Sequence, residues 1–124
     1  MAQSIGSKKI KTAVFIFGKG SNLKSLIKFS KIKKSPISIE LIVSNNSKSK
    51  GLIFGKIYKI KKRIFNFKNQ TLDENKILKE LKKKKINLIC LAGFMKILSK
   101  NFISKFKGKI LNIHPSLLPK YKGL

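Results

Sequence analysis

Cysteine is nearly absent from this chain. Cys90 stands alone, which excludes an intrachain disulfide and a cysteine-built zinc cluster and favours a cytoplasmic setting over an oxidising one. Histidine is equally scarce, with His114 the single example, and the four acids, Glu40, Asp73, Glu74 and Glu80, are scattered without ligand spacing. No metal is therefore expected. The longest apolar run, residues 88–95 counting Gly93, has eight residues, against roughly twenty for a membrane-spanning helix, so no membrane partner is expected. Lys8, Lys9 and Lys11 precede a short apolar run over residues 13–17, a superficial likeness to a secretory signal. Such a signal needs about 7–15 apolar residues and a small-residue cleavage site, whereas residues 18–22 here read GKGSN.

What the chain has in abundance is positive charge: thirty Lys and Arg give a formal net charge of +26 over 124 residues. With 42% hydrophobic residues and nine Phe it still has the material for one packed domain, and it is too short for two. A basic, noncatalytic nucleic-acid-binding α/β domain is the alternative reading that such charge invites. Yet Arg63 is the sole arginine and the lysines are spread over nearly every segment, whereas readers of phosphates and base edges exploit the planar guanidinium. A compositional bias toward Lys, Ile and Asn is the plainer explanation, with weak nonspecific polyanion binding as its consequence.

Residues 1–10 lack periodicity and read as a loose leader. Residues 12–17 form a β-branched and aromatic run that ends at Gly18, after which Leu23, Leu26, Ile27 and Ser30 share one helical face. Pro36 bars that helix from continuing, and residues 37–43 read as a second strand. Residues 51–58 are ambiguous because two glycines oppose a helix, and residues 61–67 are a candidate strand. Thr71 with Glu74 three residues on reads as a helix-capping pair, followed by an apolar face of Leu72, Ile77, Leu78 and Leu81 and four lysines that suit a helix C-terminus. Residues 86–92 are apolar without alternation after Asn87, the mark of a strand covered on both faces and hence central. A short helix over residues 99–105 and a strand over residues 109–113 complete an alternation that predicts an open, mostly parallel α/β sheet with flanking helices.

Two places could carry chemistry. GKGSN lies between a predicted strand and a predicted helix, where backbone N–H groups can hold an anion, although a tight turn alone would explain it. His114 follows the last predicted strand, where open α/β sheets place their ligand crevice. In an extended segment Asn112 and His114 face the same side, and an amide beside an imidazole suits oxyanion stabilisation and proton movement. Ser116 makes no hydrolase triad with them, because the glycine elbow is missing and no buried acid is identifiable.

GKGSNLKSLI at residues 18–27, LAGFMKILS at residues 91–99 and LNIHPSLLPKYKG at residues 111–123 occur in the order found in phosphoribosylglycinamide formyltransferases, which this sequence resembles from about Lys11 onward. The resemblance implies a Rossmann-like formyltransferase fold and formyl transfer from N10-formyltetrahydrofolate, as co-substrate, to the amine of 5-phosphoribosylglycinamide in purine biosynthesis. Gly20, Ser21 and Asn22 would hold the ribonucleotide phosphate. Met95, Lys96, Ile97 and Leu98 would line the folate pocket together with Asn112, and Asn112 and His114 would be the catalytic pair. Lys96 stands where the family often has Arg, which keeps the charge and loses the fork, and an upstream folate-contacting Arg of the family falls near Gln70. Family members continue well beyond the last motif, so residues 11–124 are expected to be the N-terminal part of such a domain. Made alone, they are expected to be impaired in transfer.

Overall fold

The computed structural model describes residues 8–16, 23–92 and 98–113. Strands and helices alternate through them: β1 (Ile10–Ile16), α1 (Leu23–Lys31), β2 (Ile37–Ser44), α2 (Leu52–Ile57), β3 (Lys61–Ile64), α3 (Gln70–Lys83), β4 (Leu88–Ala92), α4 (Lys100–Lys105) and β5 (Lys109–Asn112). The strands form one sheet in the order β3-β2-β1-β4-β5, and every neighbouring pair is parallel. The expected open α/β sheet is found, with its parallel character complete among the described strands.

Side chains two apart on a strand share a face, and the inner strands separate two cores on that rule. Ala13 and Phe15 of β1 and Ile89 and Leu91 of β4 pack against Ile77 and Leu81 of α3 and Phe102 of α4. Val14 and Ile16, with Leu88, Cys90 and Ala92, pack on the opposite face against Leu23, Leu26 and Ile27 of α1 and Leu52 of α2. β4 is buried along its whole length, as its unbroken apolar sequence predicts. In β2 the register shifts between Thr12 and Ala13 of the neighbouring strand, so that Ile39 and Leu41 are partnered and Glu40 between them is skipped. That bulge turns the exposed Glu40 out of the alternation and sends Ile39 and Leu41 to opposite cores.

Two helix boundaries depart from expectation. The helix expected to begin at Thr71 begins at Gln70, and its cap is Asn69, whose side chain accepts from the Leu72 N–H at 3.2 Å. Thr71 is exposed within the first turn, and Glu74 does not reach back to close a capping box but is buried. The ambiguous segment around Gly55 is helical, and glycine suits this position because α2 lies close to β3: a Cβ on Gly55 would sit 2.8 Å from Lys62 Cγ. Both α2 and α3 end in the same way. The Ile60 N–H donates to the Gly55 carbonyl and the Ile86 N–H to the Leu81 carbonyl, with Lys59 (φ 57°) and Lys85 (φ 58°) in the left-handed region between helix and next segment.

Candidate functional site

The strand order reverses direction between β1 and β4, since the chain builds outward from β1 through β2 to β3 and then crosses back. Open parallel sheets bind ligands outside the carboxyl ends of the strands at such a switch point. Register aligns those ends: Ile16 of β1 pairs with Ala92 of β4, and Leu91 of β4 with Asn112 of β5. Three adjacent strands therefore end side by side at residues 16, 92 and 112, each next to or within one of the three sequence blocks singled out above.

Of the residues assigned from those blocks, Leu98 and Asn112 are described; Gly20, Ser21, Asn22, Met95, Lys96, Ile97 and His114 lie outside the described residues. Asn112 is exposed at the last position of β5, where an amide is available to a ligand. The next residue keeps the ladder, its Ile113 N–H donating to the Leu91 carbonyl at 2.8 Å. Leu98 is buried in the core beneath α3 and α4. It is followed by Ser99, whose hydroxyl caps α4 by accepting from the Phe102 N–H at 3.1 Å.

The acids have been put to an unexpected use. Asp73, Glu74 and Glu80 all belong to α3, and each fastens that helix to a different segment. Asp73 Oδ2 accepts from the Phe67 N–H at 3.0 Å, steadying a residue with φ 59° in the loop after β3. Glu80 pairs with Arg63 of β3 at 2.7 Å. Glu74, only 4% exposed, accepts from the Ser99 N–H at 2.8 Å and from Gln70 Nε2 at 2.9 Å through Oε2, and from the Ser99 hydroxyl at 2.5 Å through Oε1. A buried carboxylate is tolerated when its oxygens are so engaged, and charge-assisted bonds of this kind are the stronger ones. Residue pattern alone reads Glu74 as a cap partner. The available signal was its spacing, because Glu74 lies three and seven residues before Ile77 and Leu81, on the buried stripe itself.

Cys90 is buried on β4, and desolvation pushes its thiol up to about 11, which keeps it protonated and unsuited to nucleophilic attack. Among the described residues no group of His, Cys, Asp and Glu could hold a metal ion, and no helix is long and apolar enough to cross a membrane.

Fold and strand order together define a doubly wound α/β protein in which the carboxyl ends of β1, β4 and β5 lie side by side. Residues 10–124 match the formyl transferase family model, and the chain belongs to that family. It is 43% identical over 117 residues to the phosphoribosylglycinamide formyltransferase of Haemophilus influenzae, covering 92% of this chain and 55% of that protein. It is 42% identical over 123 residues to the human trifunctional purine biosynthetic protein adenosine-3, covering 97% of this chain and 12% of that one. The crystal structure of the phosphoribosylglycinamide formyltransferase from Brucella melitensis superposes with a TM-score of 0.78 at 38% identity, over 94% of this chain and 62% of that chain. The chain thus spans about half the length of the Haemophilus relative. Nothing in these comparisons supports the nucleic-acid-binding alternative.

Proposed function

We propose that this chain carries the substrate-binding and catalytic segments for formyl transfer from N10-formyltetrahydrofolate to the amine of 5-phosphoribosylglycinamide, in the cytoplasm and as a step of purine biosynthesis. The observation that supports the reading is the alignment of the ends of β1, β4 and β5, the strands that lead in sequence into the three blocks shared with phosphoribosylglycinamide formyltransferases. The residues present suit the two ligands: the sequence GKGSN between β1 and α1 for a phosphate, an apolar motif end at the buried Leu98, and an exposed amide at Asn112.

The chemistry divides among these groups. The co-substrate supplies an activated formyl carbon. The substrate amine bonds to that carbon, the carbon–N10 bond breaks, and the proton lost by the amine ends on N10. Asn112 donates to the formyl oxygen as negative charge gathers there. His114, whose imidazole titrates in the neutral range when unperturbed, carries the proton from amine to leaving nitrogen. Gly20, Ser21 and Asn22 hold the phosphate, while Met95, Lys96, Ile97 and Leu98 hold the folate.

Gly20→Val tests the phosphate assignment, because a branched side chain would stand where backbone must approach the anion. Calorimetric titration with 5-phosphoribosylglycinamide should show at least about a tenfold loss of affinity with unchanged circular dichroism. Unchanged affinity would place the phosphate site elsewhere.

A further inference from the structure

Among the described residues, Glu74 is the acid buried most deeply, and nothing in the reading above uses it. Its three hydrogen bonds are unevenly distributed: two go to Ser99, across 25 residues of chain, and one to Gln70 on its own helix. Ser99 lies directly after Leu98, the last residue of the motif assigned to folate, and its hydroxyl is spoken for at both ends, donating to Glu74 and accepting from the Phe102 N–H. Gln70, Glu74, Ser99 and Phe102 thus form one continuous relay from α3 to the start of α4. Phe102 closes it from below, fully buried with its ring 6.2 Å from that of Phe15. A cap alone would hold α4 to itself. The relay also ties the backbone at Ser99 to α3, a helix fastened separately to β3 by Glu80 and to the β3–α3 loop by Asp73.

We propose that Glu74 is a positioning residue for the folate site: by gripping the Ser99 N–H and hydroxyl together it fixes where the chain leaves Leu98, and so the placement of Leu98 itself. This inference rests on the assignment of Leu98 to the folate site. A carboxylate suits the task because both Ser99 groups donate, and an ionised carboxylate offers acceptors only. Removing the outer partners that orient metal ligands commonly costs about 10–100-fold, and a loss at the lower end of that scale is expected for a carboxylate that orients a folate-contacting residue. Selective loss is expected here because the phosphate block follows β1 and the folate block follows β4, so a change at Ser99 bears on one and not the other.

The test is calorimetry on the full chain with N10-formyltetrahydrofolate and, separately, with 5-phosphoribosylglycinamide. Glu74→Leu, close in size but unable to accept, should weaken folate binding at least about tenfold and leave ribonucleotide affinity within about twofold. Glu74→Gln keeps one acceptor for the Ser99 N–H and can donate to the Ser99 hydroxyl, so it should recover folate affinity to within about threefold of the unaltered chain. Ser99→Ala removes the hydroxyl's bonds to both Glu74 and the Phe102 N–H while the backbone N–H of residue 99 still reaches Glu74, so it should fall between them; it decides the matter if Glu74→Leu does not fold. A purely architectural role would lower the melting temperature and move the two affinities together. Parallel losses, or a Ser99→Ala chain with unaltered folate affinity, would overturn the inference while the functional reading stands. An unaltered chain that binds the ribonucleotide but no folate would remove that reading and the inference with it.

Discussion

A methyl group placed on Gly108 would test how tightly β5 is held. The Cβ of an alanine there would lie 2.0 Å from the Asn87 carbonyl oxygen, 2.5 Å from its carbon and 2.9 Å from its Cα, where ordinary contact begins at 3.4 Å. Relief requires a shift of roughly 1.4 Å, and the neighbour is backbone that has nowhere to go. The Asn87 N–H donates to the Lys11 carbonyl at 3.0 Å, and the Asn87 carbonyl accepts from the Lys109 N–H at 2.9 Å. Separating the segments therefore strains or breaks the first rung between β4 and β5. Overpacking costs about 1–3 kcal/mol and a ladder bond about 1, so Gly108→Ala should destabilise by about 2–4 kcal/mol. For a domain of this size each kcal/mol lowers the melting temperature by roughly 3–6 °C, giving a fall of roughly 6–24 °C in a circular-dichroism melt. Gly55→Ala is the internal control. Its Cβ would meet the Lys62 side chain at 2.8 and 2.9 Å and Ile42 Cδ1 at 3.2 Å, contacts that side chains can yield, and alanine adds about 1 kcal/mol of helix propensity. It should stay within about 1 kcal/mol of the unaltered chain. If Gly108→Ala melts alongside Gly55→Ala, the close approach of residues 87 and 108 does not hold β5 in place.

Lys85 has φ 58°, a left-handed conformation that costs a side-chain-bearing residue about 1–2 kcal/mol and glycine almost nothing beyond its chain entropy. Lys85→Gly should accordingly stabilise by about 0.5–1 kcal/mol in urea unfolding; destabilisation would contradict the helix ending described. Burial pushes the Cys90 thiol up to about 11 from 9.0, so its contribution to stability is fully present below pH 9 and is lost as pH rises toward 11. Subtracting the stability of a Cys90→Ala chain isolates that limb, and iodoacetamide at pH 8 should modify the native thiol roughly 100-fold more slowly than the unfolded one; equal rates would contradict its burial.

Where hydrophobic pattern and burial coincide, sequence and structure agree residue for residue. Leu23, Leu26, Ile27 and Ser30, placed on one helical face by spacing, are the buried residues of α1, and the strand read as covered on both faces is β4. Agreement weakens where two polar residues compete for one role. Asn69 and Thr71 can each cap a helix; Asn69 does so, and Asp73, on the turn that follows, holds the loop before it. Gly55 looked like a helix breaker because its compensation, a close approach to Lys62, is made by a strand still to come. Glu74 shows the same dependence on distance along the chain. Its partner Ser99 is 25 residues away, and no local rule pairs them. The candidate site was legible as three blocks and their order; the strand register supplied the adjacency of the strand ends that lead into them.

The central claim is that Asn112, at the end of β5, and His114 two residues beyond it carry the chemistry. Steady-state formyl transfer from N10-formyltetrahydrofolate to 5-phosphoribosylglycinamide, measured on this chain and on the same chain joined to the remaining length of its Haemophilus relative, tests it most directly. In whichever form is active, Asn112→Ala and His114→Ala should each lower kcat by about 100-fold or more while KM for the ribonucleotide changes by less than about threefold. Near-normal kcat in either variant would contradict the account.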